Sequence, residues 1–187
     1  MRLAPSLRKF ALTTHVISSV GWLGAVAAYL ALAIAALVSD SSQTVRAVFL
    51  AMELIIKFII VPLSLAPLLT GLVSSLGTAW GLFRHYWVVF KLVLNILANI
   101  ILPLYLQSIG YYADVAAGTD LSRADLAMLR DPTHVLHSGG ALVVLLVATV
   151  LGVYKPRGIT PYGRRQQHEE RKASSGVDGE THAWPSN

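Results

Sequence analysis

Metal or cofactor chemistry in this chain would have to be built from six histidines, because the sequence contains no cysteine. The lack of cysteine excludes a thiolate metal site, an iron–sulfur cluster and a cysteine nucleophile. Three histidines, His15, His134 and His137, fall within long apolar stretches. A polar side chain inside such a stretch is costly unless it is paired or functional, so these positions carry the functional argument.

The first candidate site combines His15 with Lys91. Each lies about five residues into its apolar segment, which places both roughly 7 Å below the same membrane boundary. Trp22 follows His15 on the same helical face, and Asn95 and Asn99 continue a polar stripe from Lys91. We expect the stripes to face the interior of a bundle, with the asparagines bonding between helices. The alternative for Lys91 is that its ammonium reaches the interface.

The second candidate site combines His134 and His137 with Glu53. Imidazoles three positions apart on a helix can face one metal ion, and Glu53 lies at a similar predicted depth. A structural alternative is an ion pair between Glu53 and Lys57, one helical turn away. The two candidate sites are separated by roughly 15 Å of depth, so one haem iron could not take ligands from both.

The elements that must position these residues are transmembrane helices. Of the 187 residues, 55% are hydrophobic and 13% are charged, and the mean hydropathy is +0.59. The charged fraction is about half that of a soluble domain. Spanning helices need roughly 20 apolar residues. The runs that satisfy this requirement are residues 10–38, 45–76, 86–112 and 132–154. The sequence therefore predicts one all-α domain over residues 1–154, an antiparallel four-helix transmembrane bundle.

The prolines within these runs and the polar segments outside them predict further local structure. Pro62 and Pro67 lie inside the second run, where a proline removes a backbone donor, so we expect a kink. Ser122 and Asp125 resemble a capping box that starts a short helix on the membrane surface. The polar segment 155–187 is predicted to be a mostly disordered basic tail.

The distribution of basic residues predicts the orientation of the bundle. One side of the predicted membrane carries eight lysines and arginines, whereas the other carries three of them together with several aspartates. The positive-inside rule places the basic side, and with it both termini, in the cytoplasm. This topology explains the formal charge of +5 without nucleic-acid binding. We expect a multi-pass protein of the bacterial cytoplasmic membrane, in contact with the lipid bilayer.

Several stretches carry a resemblance to known families. Three of them resemble the bacterial four-helix membrane protoporphyrinogen oxidases: the first-helix sequence His15-Val-Ile-Ser-Ser-Val-Gly-Trp22, the second-helix stretch from Pro62 to Gly71 with Thr70, and the third-helix sequence Trp87-Val-Val-Phe-Lys91. The first-helix pattern is also similar to that of the copper-resistance D family. Residues 77–87, Gly-Thr-Ala-Trp-Gly-Leu-Phe-Arg-His-Tyr-Trp, resemble a family of uncharacterised bacterial integral membrane proteins.

The oxidase-like resemblance implies a b-type haem within the bundle. His15 would be its axial ligand, Trp22 would belong to the same site, and Lys91 would be a nearby partner, for instance of a propionate. A redox-related role follows as the leading expectation, although no catalytic residue is identified. The alternatives are a non-catalytic membrane subunit or scaffold, alone as a homo-oligomer or with a partner, and copper handling by His134, His137 and Glu53.

Overall fold

The computed structural model describes residues 4–76, 81–118 and 120–181, with side chains as far as residue 172. Every regular element in these ranges is a helix. We number the helices α1 to α6 in chain order. Their bounds are α1 Pro5–Val38, α2 Ser42–Leu76, α3 Tyr86–Ala117, α4 Arg123–Leu129, α5 Thr133–Tyr154 and α6 Pro161–Thr181.

Four segments within the described ranges are long and apolar enough to cross a membrane: α1, α2, α3 and the segment Arg123–Tyr154 that contains α4 and α5. The predicted all-α four-helix bundle is therefore confirmed. Helices α1 and α2 pack against each other, α2 against α3, α3 against α5, and α5 against α1. Consecutive spanning helices are thus neighbours in a closed ring, as short connections require.

The first three spanning helices are longer than the predicted apolar runs, because capping groups, and not hydropathy, decide where a helix ends. Pro5 starts α1 five residues earlier than predicted, at a position where its missing N–H costs nothing. The hydroxyl of Ser41 accepts from the amide of Thr44 at 3.3 Å and starts α2 at Ser42. Helix α3 continues to Ala117, beyond the predicted end at residue 112.

The core of the bundle lies toward one end, between the second half of α1 and the first half of α2. Tyr29, Phe49 and Met52 are among its largest fully buried side chains. Small residues such as Ala33 and Ala36 let the two helices approach closely. Large apolar side chains elsewhere point outward and are well exposed, as expected of a surface that faces lipid.

The segment in which proline predicts a kink contains a π-helical turn over Ile56–Ile60. Pro62 follows that turn directly and cannot donate a backbone hydrogen bond. The amide of Val61 reaches back five residues to the carbonyl of Ile56 instead of four. The α-helix resumes at Val61 and accommodates Pro67 without a second π turn.

The connection between α3 and α5 follows the predicted capping chemistry. The hydroxyl of Ser122 accepts from the amide of Asp125 at 3.1 Å, and the Asp125 carboxylate accepts from the amide of Ser122 at 2.9 Å. This reciprocal pair starts the seven-residue helix α4 and confirms the capping box. The carboxylate of Asp131 accepts from the amide of Thr133 at 2.8 Å, and α5 begins at Thr133.

Within the segment 155–187, for which disorder is predicted, residues 182–187 lie outside the described residues, and the structure has a helix, α6, over Pro161–Thr181. The reason is a tertiary contact that hydropathy does not reveal. The Thr160 hydroxyl donates to the carbonyl of Phe83 at 2.5 Å, and the Arg84 guanidinium pairs with the Glu170 carboxylate at 3.1 Å. These contacts hold the start of α6 against the segment that precedes α3.

Candidate functional site

His15 is anchored to α2 through one of its two ring nitrogens. Its Nδ1 lies 3.1 Å from Oγ1 of Thr70, and that hydroxyl donates its own proton to the carbonyl of Ala66 at 2.6 Å. The Thr70 oxygen is therefore left to accept, which puts the imidazole proton on Nδ1. Nε2 of His15 keeps its lone pair, and this is the tautomer in which an imidazole binds a metal.

The backbone of α2 approaches the His15 ring closely at Gly71. A Cβ added to Gly71 would lie 3.3 Å from Cε1 of His15, which is tighter than most carbon contacts. Gly71 therefore lets the imidazole pack directly on the helix backbone while Thr70 orients it. The two consecutive residues together define both the position and the tautomer of His15.

Lys91 lies at the same end of the bundle as His15, because each residue is in the first third of its helix and the two helices run in the same direction. A Cβ added to Gly152 would lie only 2.7 Å from the Lys91 ammonium nitrogen. Gly152 is in the last turn of α5, where backbone carbonyls lack helical partners and the helix dipole favours a cation. Trp22 is buried in the core, about 10 Å further along α1 than His15.

The polar stripe beyond Lys91 connects α3 to α2. The hydroxyl of Ser64 donates to Oδ1 of Asn99 at 3.0 Å, and Nδ2 of Asn99 donates to Oδ1 of Asn95 at 2.9 Å. The prediction that these asparagines form interhelical hydrogen bonds is confirmed for Asn99. Ser64 is fully buried, so this pair satisfies polar groups that neither lipid nor water reaches.

A second cluster crosses the bundle nearer the α1–α2 connection. The Tyr29 hydroxyl donates to the Tyr105 hydroxyl at 3.1 Å, and the Tyr105 hydroxyl lies 2.7 Å from Nδ1 of His134. This chain joins α1, α3 and α5. Because the Tyr105 oxygen accepts from Tyr29, its own proton has Nδ1 of His134 as acceptor. His134 then carries its ring proton on Nε2.

Nε2 of His134 is buried and has no hydrogen-bond partner among the described residues. Aromatic rings surround this imidazole instead. Phe49 lies edge-on with its centroid at 5.3 Å and Tyr112 with its centroid at 4.6 Å. His134 is only 2% exposed, so the cluster is a closed aromatic junction between helices and not an open ligand pocket.

The three residues proposed as metal ligands are not gathered at one point. Nδ1 of His134 faces Tyr105, while His137 is exposed and bonds through Nδ1 to the carbonyl of Thr133 at 3.0 Å. Glu53 forms the ion pair with Lys57 that sequence analysis gave as its alternative. Within the described ranges, no group of three or more His, Asp or Glu side chains could hold a metal ion.

Sequence analysis did not assign an orienting role to Thr70, Tyr29 or Tyr105. For the two tyrosines, their place in the middle of an apolar run was the available signal, because a buried hydroxyl requires a partner. Thr70 was named only within a stretch of family resemblance, since a threonine hydroxyl in a helix can bond to its own preceding turn. In this protein it bonds to the preceding turn and to His15 at once.

Comparison with known proteins adds no relative from which a function could be transferred. No protein-family model matches the chain, and neither a curated protein nor a solved structure resembles it significantly. The segment 77–80, which opens the stretch of family resemblance over residues 77–87, lies outside the described residues. The functional argument therefore rests on the geometry of the side chains.

Proposed function

We propose that this multi-pass membrane protein binds a b-type haem through Nε2 of His15. The observation that carries the proposal is the hydrogen bond from His15 to Thr70, which leaves Nε2 as the nitrogen with a free lone pair. Haem iron in proteins is commonly held by a neutral imidazole whose other nitrogen is oriented by an acceptor. The first-helix resemblance points to the same ligand.

The neighbouring residues fit the requirements of such a ligand. Gly71 allows the ring to lie against α2, and Thr70 fixes its tautomer. Lys91 supplies a positive charge at the same end of the bundle, which suits the carboxylate of a propionate. A bound haem b would supply one-electron chemistry, and the protein would set its affinity through the orientation of His15 and the charge of Lys91.

We do not propose copper handling by His134, His137 and Glu53. The ring nitrogen of His134 that faces Tyr105 is already bonded, and its other nitrogen carries the proton in the arrangement described above. Glu53 is neutralised by Lys57. Of the three residues, only His137 keeps a ring nitrogen with a free lone pair, and soft thiolate ligands for copper(I) are lacking in the sequence.

The proposal is tested by absorption spectra of the detergent-purified protein, oxidised and dithionite-reduced, after expression with ample haem. We expect a Soret band with sharp reduced bands in the wild type and its loss in His15→Ala. Thr70→Val should keep the ligand but lose its orientation, which lowers haem affinity by about 10–100-fold. His168→Ala is the matched control, because His168 is an exposed histidine of α6 outside the membrane bundle.

Two results would contradict the proposal. One is a featureless spectrum from wild-type protein with a monodisperse elution profile, which would favour a non-catalytic membrane subunit or scaffold. The other is a spectrum that His15→Ala leaves unchanged, which would move the ligand to another residue. If Thr70→Val behaves as wild type while His15→Ala loses the haem, His15 is the ligand but Thr70 does not orient it.

A further inference from the structure

A basic cavity lies at the end of the bundle where the chain leaves α5. Its volume is about 560 Å³, and it is formed by the link between α5 and α6 together with the first turns of α6. Three arginines, Arg157, Arg164 and Arg171, line it along with His168 and Gln167. No acidic residue is among the lining residues, so the cavity has the chemistry of an anion site.

The guanidinium charges of Arg157 and Arg164 are not cancelled by their described neighbours. The side chains of Arg157 and Arg164 have no hydrogen bond or ion pair with any residue in the described ranges. The nearby carboxylate of Glu170 is directed to Arg84, with both of its oxygens bonded at 3.3 and 3.1 Å. Two guanidinium groups therefore remain available for an oxyanion.

The cavity is held in a defined shape by the docking of α6. The Thr160 hydroxyl donates to the carbonyl of Phe83 and accepts from the amide of Gly163 at 3.1 Å, which caps α6 at its start. The backbone at Gly163 is packed so closely that an added Cβ would lie 2.5 Å from the carbonyl oxygen of Arg84. Such preorganisation lowers the cost of ordering the arginines around a ligand.

The location of the cavity indicates which anion it meets. Arg157 follows the last residue of α5, Tyr154, by three positions, so its backbone is within about 11 Å of the end of the spanning helix. Tyr154 precedes Arg157 in the chain and Tyr162 follows it, and both are well exposed, as aromatic residues are at a membrane–water interface. In a bilayer, the lipid phosphate groups lie just beyond the hydrocarbon that a spanning helix crosses.

We propose that this cavity binds the phosphate headgroup of an anionic phospholipid. Arginine recognises a phosphate through paired hydrogen bonds, and basic pockets at the ends of spanning helices attract anionic lipids. Arg157 and Arg164 make the principal contacts with the phosphate. The bound lipid tethers the start of α6 to the membrane surface and is independent of any haem at His15.

The test uses full-length protein in a zwitterionic detergent, with thermal unfolding followed during titration with phosphatidylglycerol, phosphatidylcholine or inorganic phosphate. We expect saturable stabilisation by phosphatidylglycerol only. The double variant Arg157→Gln/Arg164→Gln should weaken apparent binding by about fivefold for each charge removed. Arg165→Gln is the matched control, since Arg165 is exposed on the same helix but does not line the cavity. It should bind phosphatidylglycerol as the wild type does.

Three results would overturn the proposal. Equal stabilisation by phosphatidylcholine would remove the requirement for negative charge. Equal stabilisation by inorganic phosphate would make the ligand a free phosphate and not a lipid. An equal loss in Arg165→Gln would mean that general positive charge, and not the cavity, attracts the lipid. If the double variant fails to fold, native mass spectrometry of the wild type decides, because a cavity site retains one phosphatidylglycerol per chain and no phosphatidylcholine.

Discussion

The hydroxyl of Tyr105 connects three helices through two hydrogen bonds. It accepts from Tyr29 at 3.1 Å and lies 2.7 Å from Nδ1 of His134. Tyr29 and His134 are each only 2% exposed, so neither can exchange this partner for water. A buried polar group left without its partner costs the full free energy of its desolvation. A single oxygen atom therefore supports the junction of α1, α3 and α5.

Replacing that oxygen should destabilise the bundle without changing its shape. We predict that Tyr105→Phe lowers the free energy of unfolding by about 1–3 kcal/mol, because Tyr29 and His134 both lose a partner. Tyr29→Phe should cost less, since the bond between Tyr105 and His134 survives. Equilibrium unfolding of the purified protein in mixed detergent and sodium dodecyl sulfate measures both changes.

Tyr111→Phe is the matched control for this prediction. Tyr111 lies on the same helix, is 60% exposed and makes no hydroxyl hydrogen bond with the described residues. Its substitution should change the free energy of unfolding by less than about 0.5 kcal/mol. Equal stabilities for Tyr105→Phe and Tyr111→Phe would show that the chain of hydroxyls does not support the junction.

At the scale of the elements, α6 shows how a polar segment becomes ordered through one tight contact. The helix is polar in composition, and most of its side chains as far as residue 172 are exposed. Its start is nevertheless held by Thr160 and by the close approach of Gly163 to the carbonyl of Arg84. A helix of this composition depends on its docking point, because most helical stability in proteins comes from tertiary packing and not from propensity.

We predict that Gly163→Ala releases the start of α6. The new Cβ would lie 2.5 Å from the Arg84 carbonyl oxygen and 2.8 Å from Cγ2 of Ile159, and such overpacking costs about 1–3 kcal/mol. Alanine has the higher helix propensity, so any loss must come from the contact. Limited trypsin digestion should cut faster after Arg164 and Arg165, because cleavage follows the undocked population.

Gly158→Ala provides the comparison for Gly163→Ala. A Cβ at Gly158 would lie 3.5 Å from Cδ2 of Tyr86, which is an ordinary contact, so its digestion rate should match that of the wild type. Unchanged digestion of Gly163→Ala would mean that the carbonyl of Arg84 shifts easily and that the contact does not hold the helix.

At the scale of the whole molecule, an even number of spanning segments requires the start of α1 and the start of α6 to lie on the same side. The four segments run in order around the ring, so the α1–α2 connection and the start of α6 lie on opposite sides. The bias of lysine and arginine predicts that the side of α6 is cytoplasmic. The basic cavity would then face the cytoplasmic leaflet.

The orientation can be measured with single cysteines, because the chain has none of its own. We expect Gln43→Cys to react with a membrane-impermeant maleimide in intact cells and Glu169→Cys to react only after permeabilisation. Both positions are exposed, so burial does not mask either one. The reverse pattern would invert the predicted orientation, and labelling of both from outside would contradict four crossings.

The sequence alone determined the properties that depend on residues close together in the chain. The four spanning segments follow from the free energy of placing apolar side chains in lipid, which is a sum over local composition. The capping box at Ser122 and the π-helical turn before Pro62 follow from hydrogen-bond donors and acceptors only a few residues apart in the chain. The ion pair between Glu53 and Lys57 follows from the helical repeat.

Only the tertiary structure decided which polar groups meet across helices. Thr70 is 55 positions from His15, Tyr29 is 76 from Tyr105, and Glu170 is 86 from Arg84. The rotation of each helix about its axis selects these partners, and that rotation results from the packing of all four spanning helices together. Apolar runs define where a helix crosses the membrane but not which face it turns to its neighbours, so these contacts could not be read from the sequence.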